Sequence, residues 1–236
     1  MTTREDMTEP SARDPIDWEE EEDRIAPRFL AAGDPTGWFE ELYAAGERGR
    51  ITMPFDRHEP HALLVEWAER RNLVGTGRRA VVVGCGLGAD AEYIAGRGYQ
   101  TTGFDISEAA VRIARRRHPG SSVDYVVADL LDPPRAWRHN FDLVVEIITV
   151  QALPDPPRRQ AITNISRLVG TNGTLIVIAA VHDDNQTVEP PPWPLRRDEI
   201  DAFAADAITP VRVEIATMPG TTNERRWRAE FQRGRQ

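Results

Sequence analysis

The segment Ala80-Val81-Val82-Val83-Gly84-Cys85-Gly86-Leu87-Gly88-Ala89-Asp90 constrains this chain more than any other. Four apolar, mostly β-branched residues predict a buried strand. Three glycines follow at alternate positions, and a helical pattern opens behind them. A strand that ends in glycines and turns into a helix brings bare backbone close to a ligand.

From Arg79 onward strands and helices alternate. Strands are predicted at 80–83, 100–105, 123–128, 141–148 and 173–181, with helices at 90–97, 108–117, 157–169 and 197–205. Two closing strands, 211–217 and 225–232, are joined by a short turn and should pair antiparallel. The alternation predicts an α/β fold: a doubly wound, mostly parallel, Rossmann-like sheet of seven strands ending in an antiparallel pair. Ahead of it, 36–46 and 60–71 carry two helical patterns, with Met53-Pro54-Phe55-Asp56 as an irregular crossing between them. Residues 1–24, with Glu19-Glu20-Glu21-Glu22-Asp23, read as a solvated, disordered acidic tail. The expected organisation is that tail, then one domain over 25–236 with a helical lid at 25–75.

The net charge of −9 repels phosphate backbones, which argues against a nucleic-acid partner. Cys85 is the single cysteine, which fits a reducing compartment. No apolar run reaches membrane-spanning length, and 1–23 lacks the apolar core of a signal peptide. The expectation is a cytoplasmic protein with no membrane association.

Three strand ends converge on one crevice. Gly84, Cys85 and Gly86 end the first strand. Asp105 ends the second, followed by Ile106, and Asp129 ends the third, followed by Leu130. A carboxylate at Asp105 can accept both hydroxyls of a ribose. For a ligand with a purine base, Asp129 offers an acceptor to an exocyclic amine, and Ile106 and Leu130 can sandwich the ring. Ser107 is the better cap for the helix behind it, which leaves Asp105 for a ligand. With Ala89, the glycines also satisfy the dinucleotide pattern G-x-G-x-x-G/A, so an NAD(P)-dependent reductase is an alternative. That reading lacks a Tyr-x-x-x-Lys pair, since the chain has no lysine. A non-catalytic cofactor-binding or interaction protein on the same fold is a further alternative.

The combined set resembles the cofactor site of class I S-adenosylmethionine-dependent methyltransferases over about residues 36–232. Gly37-Trp38-Phe39-Glu40-Glu41-Leu42-Tyr43, Pro54-Phe55-Asp56-Arg57 and His61-Ala62-Leu63-Leu64-Val65-Glu66-Trp67 are similar to the thiopurine S-methyltransferase and thiol/halide methyltransferase group. That resemblance implies S-adenosylmethionine as cofactor, with no metal. It implies a small-molecule acceptor (a thiol, phenol or amine) and an aromatic segment, Trp38 and Phe55, closing over the methionine end. Phe55-Asp56 stands where members of the group often have Trp-Asp, and Gly46-Glu47-Arg48-Gly49-Arg50 lengthens the lid.

The fourth strand ends at Glu146. In the class this edge faces the transferable methyl, so Glu146 either lines the reaction centre, or caps the next element or pairs with an arginine. Glu146 and His182, which follows the fifth strand, are the candidate bases for an acceptor that needs one. Cys85 is expected to be small, inert packing. Pro190-Pro191-Pro192-Trp193-Pro194-Leu195 is expected either to wall the acceptor pocket or to act as a stiff linker. The arginines of Arg225-Arg226-Trp227-Arg228 are expected to face solvent.

Overall fold

In the computed structural model, residues 15–183, 191–205 and 207–234 are described. The alternation from Arg79 onward builds a single sheet. β1 (Arg79–Val83), α4 (Ala89–Gly96), β2 (Gln100–Asp105), α5 (Glu108–Arg117) and β3 (Asp124–Val127) form its first half. β4 (Phe141–Ile147), α6 (Pro157–Leu168), β5 (Val169–Ala180), α7 (Arg197–Asp201), β6 (Ile208–Thr217) and β7 (Arg225–Arg233) complete it. The strand order is β3-β2-β1-β4-β5-β7-β6. The first five strands are parallel, and β7 runs antiparallel between β5 and β6. The expected Rossmann-like sheet and its closing pair are therefore present.

Residues alternate between the two sheet faces. Val81, Val83, Val144 and Val177 pack into one core with Ile162, Ile165 and Phe231. Ala80, Val82, Val145 and Ile178 pack into the other with Leu64 and Trp67. The order reverses between β1 and β4, and both end at the same edge: Val83 pairs with Glu146 across the switch point. Crevices for ligands form at such points in open parallel sheets.

The N-terminal region departs from expectation. The acidic run is not a solvated tail from residue 15 onward; it is the start of α1 (Trp18–Ala31). Asp17 caps this helix by accepting the Glu19 amide at 2.9 Å, and Glu19, Glu20 and Glu21 stand in the first turn, where negative charge suits the helix dipole. Ile25 and Ala26 are fully buried in a small core with Trp38, Leu42 and Ile51. The helical layer thus starts before residue 25. Residues 1–14 of the expected tail lie outside the described residues. α2 (Gly37–Glu47) and α3 (Ala62–Arg70) match their predicted positions within two residues.

One more expectation is corrected in the last strand. Arg228 does not face solvent: it is buried, with Glu66 at 2.9 Å and Glu214 at 2.6 Å. Its partners lie on α3 and β6, so the strand's edge is stitched to the helical layer by charge. Trp227 is buried too, its indole N–H donating to the Leu195 carbonyl at 2.8 Å. Among the described residues no helix is long and apolar enough to cross a membrane.

Candidate functional site

The carboxyl ends of β1 to β4 open into a cavity of about 600 Å³ roofed by α1, α2 and the segment around Phe55. That volume lies within the range of ligand pockets, about 300–1,000 Å³. Most of the residues read from the sequence meet in it: Gly84, Cys85, Gly86, Asp105, Ile106, Asp129, Leu130 and Phe55 all line its wall.

The glycine loop is shaped by its backbone. Gly84, Gly86 and Gly88 all have left-handed φ, which glycine adopts at little cost. A Cβ on Gly86 would come within 3.0 Å of the Tyr43 hydroxyl, so the loop and the roof approach closely there. Asp105 locks the loop from below. One of its carboxylate oxygens accepts the Gly86 amide and the other the Ser107 amide, each at 3.0 Å. Burial pushes this carboxyl above its ordinary value, against the pull of the Ser107, Gly86 and Ile106 amides. Ser107 caps α5 by accepting the Ala110 amide at 3.1 Å, as expected, but Asp105 is engaged with backbone as well as facing the cavity. Asp129 accepts the Leu131 amide at 2.7 Å, which fixes the turn after β3. Cys85 is buried, and burial pushes its thiol well above the usual range, in keeping with inert packing.

Three predicted residues stand elsewhere. Trp38 does not line the cavity: it is fully buried in the helical layer, with its indole N–H donating to the Pro35 carbonyl at 3.2 Å. Phe39, stacked on it at 3.7 Å, lines the cavity in its place. Glu146 is fully buried behind the wall, on the sheet face it shares with Val144. It accepts the Val150 amide at 3.0 Å and so caps the short 3-10 turn over Val150–Ala152, while its second oxygen has no partner among the described residues. Burial pushes its carboxyl up to about 7. In this structure Glu146 caps the element that follows its strand. His182 is half-buried and is not among the lining residues. Of the proline-rich connection, Pro191 and Pro192 line the cavity; Trp193 instead takes the Arg158 guanidinium over its ring at 5.5 Å. Pro190 lies outside the described residues.

Several lining residues were not read from the sequence. Trp18, Glu22 and Tyr43 all face the cavity. Trp18 packs on Phe55 at 4.5 Å, and Tyr43 lies 6.1 Å from the same ring. The signal for α1 was the Asp17 cap followed by Trp18, Ile25, Ala26 and Phe29 at helical spacing. Two wall residues carry left-handed backbone despite their bulk, Phe55 (φ 50°) and Ile148 (φ 65°). Such conformations concentrate where a site is held in shape by its surroundings.

The donor set suits a nucleoside better than a dinucleotide. A pyrophosphate needs free loop amides. Here the Gly86 amide serves Asp105, the Cys85 amide serves Phe104, and the Gly88 amide serves Cys85. Five carboxylates line the cavity against one guanidinium, Arg57, which is paired with Asp90 at 2.7 Å. That balance favours a cation.

Comparison with known proteins agrees with this geometry. Residues 80–173 match the family model described as a methyltransferase domain. The chain is 34% identical over 118 residues to the ubiquinone biosynthesis O-methyltransferase of Thiobacillus denitrificans, covering 49% of this chain and 50% of that protein. The chain spans about half the length of the curated relatives it matches. Its fold is shared with the N-methyltransferase NodS of Bradyrhizobium japonicum, solved with S-adenosyl-L-homocysteine, at a TM-score of 0.63 and 21% identity over 82% of this chain and 98% of that one. It is also shared with a protein solved in work on the conversion of a disulfide bond into a thioacetal group during echinomycin biosynthesis, at a TM-score of 0.65 and 23% identity over 83% of this chain and 93% of that one. The chain has the fold of the class I S-adenosylmethionine-dependent methyltransferases. Within it, residues 80–173 match a methyltransferase domain.

Proposed function

We propose that this protein moves a methyl group from S-adenosylmethionine to a small-molecule acceptor. The observation that carries the reading is Asp105: a buried carboxylate, anchored by two amides, at the wall of a cavity that also holds Ile106, Asp129 and Leu130. In this reading Asp105 holds the ribose hydroxyls, Asp129 faces the adenine amine, and Ile106 and Leu130 flank the ring. Gly84 and Gly86 let the cofactor lie against bare backbone, and Phe55 and Tyr43 cover its methionine end. When bound, the cofactor supplies an activated methyl on a cationic sulfur that leaves as a neutral thioether. The chain's contribution is then to align donor and acceptor and to exclude water, which is worth about 7–11 kcal/mol in favourable cases. A roof of α1, α2 and Pro191-Pro192 leaves room for a small acceptor.

The likeness to the thiopurine and thiol/halide methyltransferase group does not select a sulfur acceptor, because Trp38 stands away from the cavity and Phe55 is itself a departure from the group's Trp. The relatives named as O-methyltransferases align over half their length and do not select the acceptor atom. Calorimetry with S-adenosylhomocysteine and with NAD tests the reading. Binding of the former and not the latter is expected; binding of NAD alone would overturn it. A panel of thiols, phenols and amines, read by homocysteine release, then separates an enzyme from a binding protein.

A further inference from the structure

The nucleoside accounts for two of the acids in the cavity, Asp105 and Asp129. Three more come from α1: Glu19 and Asp23 stand exposed at the rim, and Glu22 projects inward between them. Glu22 is 9% exposed and has no hydrogen-bond or ion-pair partner among the described residues. Its oxygens are not enclosed by protein atoms and open onto the cavity, where an occupant can supply the partner the chain does not. The arginines of α1 and of the cavity wall are engaged elsewhere. Arg24 is bonded to Glu21 at 2.8 Å, Arg28 reaches Glu41 at 3.8 Å, and Arg57 serves Asp90. Burial, reinforced by Asp23 and Glu19, pushes Glu22 up to about 7, so a proton there is easily exchanged near neutrality.

The surroundings of Glu22 describe the missing partner. Trp18 lies one helical turn before it and stacks toward Phe55, with Tyr43 beyond. Aromatic faces attract a cation as well as a flat apolar body. Behind Glu22, Ile25 and Ala26 pack with Trp38, Leu42 and Ile51 in the small core of the helical layer, which Ala152 also touches. The vacant carboxylate therefore belongs to the roof of the cavity, whereas Asp105 and Asp129 come from the sheet edge.

Resting on the methyltransferase reading, we propose that the acceptor is an amine on an aromatic or apolar body, held as its ammonium by Glu22, which takes the proton that frees the nitrogen. The amine nitrogen's lone pair forms the new bond to the methyl carbon. The bond from that carbon to sulfur breaks, its electron pair stays on sulfur, and the displaced amine proton rests on Glu22. Glu19 and Asp23 draw the cation to the mouth.

The test compares phenethylamine with its neutral counterpart 2-phenylethanol, each titrated calorimetrically into the protein saturated with S-adenosylhomocysteine. The ammonium is expected to bind at least about tenfold more tightly, as a buried charge-assisted hydrogen bond implies. In Glu22→Gln this preference falls below about threefold, in Glu22→Asp it persists in direction, and affinity for S-adenosylhomocysteine stays within about twofold in both. Glu22→Gln removes a buried charge, so its melting temperature is expected to hold or rise. Equal binding of the two compounds by the wild type, or a preference that survives Glu22→Gln, overturns the proposal. So does a loss of S-adenosylhomocysteine affinity in Glu22→Gln, which would put Glu22 on the cofactor's own ammonium. A wild type that does not bind S-adenosylhomocysteine at all marks failure of the methyltransferase reading itself.

Discussion

Asp105 and Gly86 are 19 residues apart in sequence and joined by a hydrogen bond of 3.0 Å between the carboxylate and the amide. This bond ties the end of β2 to the loop after β1. It holds the glycine loop in the left-handed conformation its residues need, and it spends on a carboxylate the amide that a phosphate would want. The same carboxylate keeps lone pairs toward the cavity, so one residue both shapes the floor and presents it to a ligand.

Replacing Asp105 should therefore cost on two counts. Asp105→Ala is expected to weaken S-adenosylhomocysteine binding by more than about 1.5 kcal/mol, the worth of charge-assisted hydrogen bonds. It also strands the Gly86 and Ser107 amides, so the melting temperature should fall. Calorimetric affinity equal to the wild type would contradict the ribose placement.

Trp38 and Phe55 should separate packing from binding. Trp38→Ala opens a hole in the helical core and should lower stability by about 3–5 kcal/mol. Phe55, 36% exposed on the cavity wall, should cost within about 1 kcal/mol when cut to Ala, while ligand affinity drops. Urea midpoints alongside calorimetry check both; a Trp38 variant of normal stability with weakened binding would restore Trp38 to the cavity.

Glu146 should leave a pH signature in stability. Its carboxyl lies at about 7 when folded, against 4.5 as the ordinary value. The native state holds the proton more tightly, so the contribution is present in full below about pH 4.5 and is lost as pH rises to about 7. At about 1.4 kcal/mol per tenfold change in proton affinity the full loss is on the order of 3 kcal/mol. Glu146→Gln is expected to match the wild type near pH 4.5 and to exceed it by about 1–3 kcal/mol at pH 8. Parallel urea-denaturation curves across that range would refute the account.

Much of the sheet was legible because its strands are buried on both faces. Apolar runs such as Ala80–Val83 and Leu143–Val145, each bounded by turn residues, leave few alternatives. The floor of the site was legible for a related reason: Asp105 and Asp129 sit at strand ends, where topology dictates their direction. The roof was not. Trp38 and Phe39 are neighbours on a helix, and which of the two faces the cavity depends on how α2 rolls against α5, a tertiary matter. α1 was hidden by its own composition, since four glutamates and Pro27 mask the Trp18, Ile25, Ala26 and Phe29 face. Glu146 and Arg228 show the converse: charged residues in strands that fold inward, Glu146 onto the Val150 amide four residues on, and Arg228 onto Glu214 of the neighbouring strand and Glu66, 162 residues away.

The roof is not uniformly free to move. Glu40 on α2 accepts the Ser107 hydroxyl at 2.6 Å and the Ala109 amide at 3.0 Å, and Glu47 at the far end of α2 holds Arg112 and Arg116. Helix α2 is bolted at both ends to α5, the helix that rests on the floor. Helix α1 is packed on that bolted helix through Ile25, Ala26, Trp38 and Leu42, so the two ends of the roof share one anchorage, and the Trp18–Phe55 contact is held over the opening by the same fastening that fixes α2.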